Sequence, residues 1–437
     1  MSSVGTPAIK EDNKLRVEDR AAHDWYRFVL SYPAHLVRDY LERFGIDSTQ
    51  TVLDPFCGTG TTLVECKKLG IPSIGIESNP MASLASRVKV DWKVDANGLL
   101  AHAEKVANRT LRKLEEDGIV DSSHLPLFKT GVSPAIQLRT LSDEKLKLLL
   151  KDSISPLPLH KTLTLIDAIR ELEDDRFSAA ERLALARALV SGISNLQFGP
   201  EVGVGPAKQD APVVETWLKW LHRIAEDLQS LNSLAETRAV VKTGDSRDLK
   251  LLLEPNSVDA VITSPPYPNE KDYTRTTRLE TVLLGLINNK HDLRLLKKTL
   301  LRSNTRGVYK TDEDDLLVAD NEEIQRIAEL IERRRIELGK TSGFERLYAR
   351  VTKLYFGGMK RHFSDLTTIL RPGARLAYVV GDQASYLRVM IRTGEILADL
   401  AKSLGYEVIG IDLFRTRLAT ATKEQLREEI VVLRWPG

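Results

Sequence analysis

Short apolar segments alternate with helical patterns in three stretches of the chain, residues 50–92, 238–288 and 364–435. In each stretch, runs of aliphatic or β-branched residues end at Gly, Pro, Asp or Asn, and apolar residues at helical spacing follow them. This alternation is typical of an open, mostly parallel, doubly wound sheet with helices on both faces. The pattern therefore predicts an α/β protein with a Rossmann-like fold.

Two segments of different character interrupt this pattern. Residues 95–235 have an almost wholly helical pattern and predict a helical insertion. Residues 289–343 begin with a basic stretch, continue into a highly charged helix and predict a second insertion. The core is therefore expected to be discontinuous, with parts at 23–94 and 236–437, and to follow a polar tail at residues 1–22.

Composition and charge narrow the classes of function. The chain of 437 residues has 63 basic and 61 acidic residues, a formal charge of +2, so any basic surface must be local. No apolar run approaches the roughly 20 residues that a membrane span needs, and the polar start lacks the features of a signal peptide. Its two cysteines, Cys57 and Cys66, give no disulfide framework, and its eight histidines show no metal-ligand spacing. We expect a cytoplasmic protein without a metal site.

A carboxylate and two glycines follow the first predicted strand. Asp54 ends that strand, and Gly58 and Gly60 lie in the turn after it. Glycines let a backbone approach a ligand at a helix N-terminus, but Leu63 replaces the third glycine of the dinucleotide-binding pattern. Asp54 is placed to meet a cationic ammonium rather than a pyrophosphate. Its alternative role is to cap a tight turn.

Acidic residues also end two later predicted strands. Glu77 closes the second strand, where an acidic side chain commonly accepts hydrogen bonds from ribose hydroxyls. Asp245 closes another strand and could accept from an adenine amino group. Each residue alone fits a solvated carboxylate equally well. Together with Asp54 they predict a pocket for an adenosine that carries an amino acid.

The tetrapeptide Ser264-Pro265-Pro266-Tyr267 follows a predicted strand at 258–263. Its prolines lock the backbone and leave carbonyl groups without helical partners. An exocyclic base amine is a poor nucleophile, and the Ser264 hydroxyl and Pro265 carbonyl could draw its nitrogen towards tetrahedral geometry. Tyr267 would then stack on a base swung out of a duplex. As an isolated string, the tetrapeptide fits a plain proline turn equally well.

In their order and their placement at strand ends, these motifs resemble the DNA amino-methyltransferases, which modify N4 of cytosine or N6 of adenine. The segments that carry the resemblance are residues 31–36, 54–62, 75–77, 244–249, 263–267 and 370–382. A serine at the first position of the tetrapeptide is more typical of the cytosine-N4 enzymes, and an aspartate of the adenine-N6 enzymes. The resemblance therefore implies a methyltransferase fold in which N4 of cytosine is the favoured target.

The resemblance also implies direct transfer of a methyl group from S-adenosylmethionine, without a covalent enzyme intermediate. Cys57 and Cys66 then need no nucleophilic role, and the Pro-Cys nucleophile of carbon-5 cytosine enzymes is absent from the chain. The implied catalytic residues are Ser264, Pro265, Pro266 and Tyr267. The implied cofactor-binding residues are Tyr32, Pro33, Ala34, Asp54, Pro55, Phe56, Gly58, Gly60, Thr61, Glu77, Asp245 and Ser246.

Basic residues cluster after the tetrapeptide and extend into the insertion at 289–343, which is a candidate for target recognition. Phosphate contacts would supply affinity there, although the same charges fit the solvated face of a helix. The candidate nucleic-acid-binding residues are Lys271, Arg275, Arg278, Lys297, Lys298, Arg302 and Arg306. The Gly/Pro-rich loop at 198–208 fits a groove-binding loop, a lid or an interdomain connection.

Several functions remain open at this point. The favoured one is a site-specific DNA methyltransferase that acts on N4 of cytosine in double-stranded DNA with base flipping, in a restriction or phage-defence setting. An N6-adenine DNA enzyme, an RNA amino-methyltransferase and an inactive nucleic-acid-binding subunit are the alternatives. No separate RNA-binding module precedes the core, which favours DNA.

Overall fold

The computed structural model describes residues 15–27, 31–121, 136–199, 201–269, 271–418 and 425–437. Within them, nine strands form a seven-stranded sheet and a two-stranded hairpin. The strands are β1 (Val52–Asp54), β2 (Ser73–Glu77), β3 (Leu196–Phe198), β4 (Val202–Val204), β5 (Ala239–Thr243), β6 (Val258–Thr263), β7 (Leu370–Gly381), β8 (Glu407–Leu418) and β9 (Gln425–Arg434).

The large sheet has the strand order β5–β2–β1–β6–β7–β9–β8. Its first five strands are parallel, whereas β9 runs antiparallel to both of its neighbours, β7 and β8. Helices connect the parallel strands and lie on the faces of the sheet. The mostly parallel, doubly wound sheet predicted from the sequence is confirmed, with one antiparallel strand near its edge.

Fifteen α-helices accompany the strands in the described residues. They are α1 (Arg20–His23), α2 (Ala34–Phe44), α3 (Thr61–Lys68), α4 (Pro80–Val90), α5 (Ala96–Glu116), α6 (Asp143–Leu146), α7 (Pro156–Glu171), α8 (Ser178–Ala188), α9 (Val213–Leu231), α10 (Tyr273–Thr276), α11 (Arg278–Leu283), α12 (Lys290–Thr299), α13 (Glu322–Glu337), α14 (Tyr348–Leu366) and α15 (Thr393–Ser403). None of these helices combines the length and the apolar composition that a membrane span needs.

Side chains of the central strands alternate between two buried apolar layers. Val52, Ala260 and Ile262 pack in the layer that helix α2 covers. Leu53 and Val261 point to the other face, which helices α13, α14 and α15 cover. Burial on both faces explains why these strands read as short continuous apolar runs in the sequence.

The residues between β2 and β5 are largely helical and have their own apolar core. Helix α9 packs against α5 and α8, and Trp217 is fully buried between them. The Trp217 indole nitrogen donates to the carbonyl oxygen of Glu181 at 3.0 Å. The same core includes side chains of α4, so it is continuous with the edge of the large sheet.

A β-hairpin replaces part of the loop expected at 198–208. Strands β3 and β4 pair antiparallel, with Leu196 opposite Val204. Buried Asn195 anchors the base of the hairpin, since its Nδ2 donates to Ser155 Oγ at 3.0 Å and its backbone carbonyl accepts from Gly205 N at 2.7 Å. The strands are too short, and too rich in glycine, for alternation to have been visible in the sequence.

Residues 299–315, here called the strap, lie in a groove on helix α14. A Cβ atom on Gly357 would lie 1.7 Å from the carbonyl oxygen of Asp314, and one on Gly358 would lie 2.6 Å from Leu301. Backbone meets backbone at Gly357, so only a glycine permits this approach. The strap is therefore a fixed part of the core, although it lies within the predicted insertion at 289–343.

Candidate active site

A cavity of about 290 Å³ opens where the parallel strands end. The loops after β1, β2, β5 and β6 form one part of its wall, and the tip of the hairpin, the strap and strands β8 and β9 form the rest. Open α/β sheets bind ligands at this edge. The residues expected at the site that line the cavity are Tyr32, Pro33, Pro55, Phe56, Gly58, Thr61, Glu77, Ser246, Ser264, Pro265, Pro266 and Tyr267. Those that do not line it are Ala34, Asp54, Gly60 and Asp245.

Asp54 lies fully buried directly behind the cavity wall. Its Oδ1 accepts from Thr263 Oγ1 at 2.6 Å, and its Oδ2 accepts from the hydroxyl of Tyr32 at 3.0 Å. Burial raises the pKa of Asp54 to about 6, so the group is mostly ionised at pH 7.5. Because Tyr32 lines the cavity, this negative charge acts on any cation bound there.

The turn between β1 and α3 depends on its two glycines. Gly58 and Gly60 have φ angles of +51° and +86°, which lie in the left-handed region. A Cβ on Gly60 would also lie 3.1 Å from Ser86 Oγ. Burial raises the pKa of the Cys57 thiol in this turn, so the group stays protonated and is a poor nucleophile.

Glu77 lines the cavity beside the glycine turn. Its Oε2 accepts from Gly58 N at 2.8 Å, and its Oε1 accepts from Asn79 N at 2.7 Å. These two bonds fix the carboxylate and leave lone pairs on both oxygens for a ligand. Burial raises the pKa of Glu77 to about 7.

Asp245 is turned away from the cavity towards Arg247. The buried guanidinium of Arg247 donates to both carboxylate oxygens of Asp245, at 3.0 and 2.6 Å, and to Asp314 of the strap at 2.7 Å. Asp245 does not line the cavity, so its expected bond to an adenine amino group stays a prediction. Ser246, the next residue, lines the cavity in its place.

The tetrapeptide after β6 presents acceptors and one aromatic ring. Ser264 Oγ donates to the carbonyl oxygen of Val379 at 3.1 Å, so its lone pairs are left to accept. The Tyr267 ring packs against Gly381, where a Cβ atom would lie 3.0 Å from Cε2 of the ring. Burial raises the pKa of Tyr267, so its hydroxyl stays protonated. Sequence reasoning missed Gly381, because only the sheet brings the end of β7 to this ring.

Two of the expected phosphate-contacting residues have internal roles instead. Arg302 is buried, forms a bidentate pair with Asp312 at 2.8 and 2.9 Å and donates to the backbone carbonyls at 297 and 298. Arg278 donates to Thr274 Oγ1 at 2.7 Å and to the carbonyl oxygen of Leu148 at 3.3 Å. Arg302 nevertheless lines the cavity. Phosphate contacts by these two residues stay a prediction, although their internal hydrogen bonds make such contacts less favourable.

The remaining basic candidates differ in their surroundings. Lys297 lines the cavity but pairs with Asp272 at 2.8 Å, and Lys298 is exposed outside the cavity. Lys271, Arg275 and Arg306 line the cavity. These last three are the expected residues best placed to meet a charged ligand.

Strands β8 and β9 add charged residues that sequence reasoning missed. Arg415 and Arg417 of β8 line the cavity with Glu428 of β9, which accepts from Arg415 Nε at 2.5 Å. Arg417 Nε lies 3.6 Å from the same carboxylate. Charges two residues apart lie on one face of a strand, which was the available signal. Nothing in the sequence showed that this face meets the cavity.

Replacing Arg302 with alanine is expected to lower the free energy of unfolding by about 3 kcal/mol, because the nearly buried charge of Asp312 would keep only the Tyr309 N–H as a partner. Urea unfolding would measure this change. Arg306→Ala is the matched control, since Arg306 is exposed and should change the free energy by less than about 0.5 kcal/mol. Similar stability losses in the two variants would contradict the internal role of Arg302.

The fold and the site combine an α/β sheet, a glycine turn and a fixed carboxylate with a proline-rich loop of acceptors, an arrangement that resembles an amino-methyltransferase. A family model described as a DNA methylase matches residues 8–86. This match supports an amino-methyltransferase with S-adenosylmethionine as its cofactor. The residues of the chain fit that cofactor, because fixed Glu77 and buried Asp54 suit ribose hydroxyls and a cation.

Relatives of similar length support this assignment. The Type II methyltransferase M.BsoBI of Geobacillus stearothermophilus is 26% identical over 447 residues, which cover 95% of this chain and 85% of that protein. The Type II methyltransferase M.AvaI of Nostoc sp. is 24% identical over 451 residues, covering 96% and 87%. A solved structure of a putative sarcosine dimethylglycine methyltransferase from Galdieria sulphuraria covers 92% of this chain and 84% of its own, at 7% identity and a TM-score of 0.31, a likeness too weak to bear on fold or function.

Proposed function

We propose that the protein is a site-specific DNA methyltransferase that transfers a methyl group to N4 of cytosine in double-stranded DNA. One observation carries this proposal: the acceptor group of Ser264 and the ring of Tyr267 line the same cavity as the cofactor-type carboxylate Glu77. The near full-length likeness to two Type II methyltransferases supports a sequence-specific DNA enzyme of a restriction-modification setting.

Ser264 and Pro265 would activate the amine of the base. The bound cofactor supplies an electrophilic methyl group. Ser264 Oγ donates its hydrogen to the carbonyl oxygen of Val379, so towards the amine it can act only as an acceptor. The carbonyl of Pro265 precedes another proline, which has no N–H, and it adds a second acceptor. Accepting the amine hydrogens would concentrate the nitrogen lone pair and favour its attack on the methyl group. The S–CH3 bond would break as the N–CH3 bond forms, with the electron pair left on sulfur, and the nitrogen would lose one proton to solvent.

Tyr267 would hold the base that is methylated. Its ring lies in the cavity wall, which a base inside a duplex cannot reach, so the base must rotate out of the helix. Lys271, Arg306 and Arg417 line the same cavity and would neutralise phosphates of the strand. We assign Asp54 and Glu77 to the ammonium and the ribose of the cofactor. Asp245 would act indirectly, by fixing the loop that contains Ser246.

Cofactor affinity is expected to fall about 10-fold between pH 8 and pH 6, because a carboxyl with a pKa of about 7 goes from mostly ionised to mostly protonated over that interval. Asp54, with its pKa raised to about 6, adds to the loss near the lower limit. Calorimetric titration with S-adenosylhomocysteine at several pH values would measure this change in affinity.

A matched variant and a stability measurement separate this effect from unfolding. Glu77→Gln should flatten the pH dependence above pH 6.5. Both carboxyl pKa values are raised in the folded state, so protonation favours folding, and these groups stabilise the apoprotein more as the pH falls. An affinity that is constant across the interval in the wild type would contradict the assignment of Glu77 to the cofactor.

The experiment that tests the proposed function uses labelled S-adenosylmethionine with unmodified genomic DNA or total RNA, followed by digestion and mass spectrometry of the nucleosides. N4-methylcytosine in DNA, absent with Tyr267→Ala, supports the proposal. N6-methyladenine in DNA would keep the mechanism and correct the base. Label confined to RNA would contradict the substrate, and bound cofactor with no transfer to either would indicate the inactive binding subunit.

A further inference from the structure

Two buried polar atoms in the cavity wall have no hydrogen-bond partner in the part of the chain that the structure describes. They are Oδ1 of Asn304 and Nε of Arg275. Both residues line the cavity, and no other lining residue in the described part of the chain has a buried side-chain nitrogen or oxygen without a partner. Buried polar atoms in folded proteins are normally paired, so these two indicate where a ligand completes the site.

Asn304 is held in position by the loop that follows the tetrapeptide. Its side chain is 9% exposed, and its Nδ2 donates to the carbonyl oxygen of Lys271 at 2.9 Å. The neighbouring carbonyl of Ser303 accepts from Asn269 N at 3.2 Å and from the hydroxyl of Tyr386 at 2.9 Å. The bond to Lys271 fixes the orientation of the amide, since only the NH2 group can donate to a carbonyl. The amide thus keeps one free acceptor and one further N–H.

Arg275 differs from the other arginines around the tetrapeptide. Arg278 and Arg302 are bonded to protein atoms, whereas no side-chain hydrogen bond or ion pair of Arg275 exists among the described residues. Arg275 lies in the short helix α10, eight residues after Tyr267 in the numbering. It brings unpaired donors to the same cavity that receives the acceptor of Asn304.

This donor and acceptor set matches one base. Cytosine has an N–H donor at N4 beside the acceptor N3, and it has a second acceptor at O2. Thymine and uracil have an acceptor at O4 and a donor at N3, the reverse of cytosine. Adenine has an amine and a ring acceptor like cytosine, but only a C–H where cytosine has O2. An amide edge therefore distinguishes amino bases from keto bases, and one more donor distinguishes cytosine from adenine.

We propose that Asn304 and Arg275 read the target base within the cavity. Asn304 accepts the N4 hydrogen on the N3 side of the amine and donates to N3, while Ser264 and Pro265 share the other N4 hydrogen. Arg275 donates to O2. This inference rests on the proposed function, and it adds the residues that select the base.

Asn304→Ala tests the first half of the inference. We expect kcat/KM for the cognate duplex to fall about 10- to 100-fold, the range for loss of a bidentate base contact, while the affinity for S-adenosylhomocysteine stays unchanged. We also expect the variant to lose the wild-type preference for binding a duplex with cytosine, rather than uracil, at the target position. A variant that keeps this preference would overturn the role of Asn304.

Asn321→Ala is the matched control for Asn304→Ala. Asn321 also lies in the segment 289–343, but its Oδ1 accepts from Ile324 N at 2.9 Å and caps helix α13. Its replacement costs stability through the lost cap and should leave kcat/KM and base preference at the wild-type values. Equal losses of base preference in the two variants would show a general structural effect and overturn the inference.

Arg275→Lys tests the second half, because lysine keeps the charge but lacks the guanidinium fork. The ratio of kcat/KM values for cytosine and adenine at the target position is expected to fall at least about 10-fold. The slope of binding affinity against salt concentration should stay unchanged, since the number of cations is the same. An unchanged base ratio would show that Arg275 contacts only phosphate, and would overturn its reading of O2.

The wild-type protein in the same assay separates this inference from the proposed function. No methyl transfer by the wild type to any DNA would contradict both. Wild-type transfer to cytosine with unaltered base preference in the variants would contradict only the inference. Wild-type transfer to adenine would contradict the role of Arg275, because adenine has no acceptor at that position.

Discussion

Tyr267→Ala is expected to lower kcat/KM for DNA about 10- to 100-fold, because one base-stacking contact is worth about 1 to 3 kcal/mol. The affinity of this variant for S-adenosylhomocysteine should stay within about twofold of the wild-type value. The ring lies against Gly381 and contributes no atom to Glu77 or Asp54, which supports this separation. Steady-state transfer to a duplex that contains the methylated site, with calorimetry for the cofactor, would measure both quantities.

Two further variants test the reason for this loss. Tyr267→Phe keeps the ring and should retain activity within about threefold, since stacking needs no hydroxyl. Gly381→Ala keeps the tyrosine but places a Cβ atom 3.0 Å from its ring, so the ring must shift and transfer should slow. Full activity in Tyr267→Ala would leave the tetrapeptide without its proposed aromatic role.

Asp54→Asn is expected to weaken cofactor binding about 10- to 100-fold, because the buried negative charge that attracts the ammonium of the cofactor is lost. The unfolding free energy of the apoprotein should change by less than about 1 kcal/mol. The hydroxyl of Tyr32 can reverse and accept from the new NH2 group, while Thr263 and Phe56 still donate to the remaining oxygen. Calorimetry and urea unfolding would check the two expectations.

Tyr32→Phe provides the comparison for Asp54→Asn. It removes one hydrogen bond to the carboxylate and leaves the charge, so the affinity should fall only about 3- to 10-fold. If Asp54→Asn bound the cofactor as tightly as the wild type, the buried carboxylate would have only a structural role beneath the turn.

Local sequence patterns were enough to predict the sheet and one side of the cavity. Strand β1, the turn with Gly58 and Gly60 and strand β2 lie within 26 residues, Val52 to Glu77, and their order follows from apolar runs that end at polar residues. Parallel strands have their carboxyl ends at the same edge of a sheet. This rule alone predicts that Glu77 and the tetrapeptide lie at one edge. The roles of these residues stay proposals.

The other side of the cavity could not be predicted in the same way. Arg302 and Arg275 look alike in the sequence, yet one is bonded to Asp312 and the other has no side-chain partner among the described residues. The charge of an arginine does not show which carboxylates the fold brings close to its guanidinium group. Asn304 gave no signal, because its position depends on the fit of the strap against Gly357, which is more than 50 residues away in the chain.

The sheet topology also has a consequence for synthesis of the chain on the ribosome. Strand β2 pairs with β5, and residues 78–238 must be translated between them. At roughly 5 to 20 residues per second, that interval lasts roughly 10 to 30 seconds. During this time the nascent chain carries an apolar strand with an unpaired edge, which is a template for aggregation. The helical segment packs against α4 through its own core, so it can shield the neighbouring strand before β5 emerges.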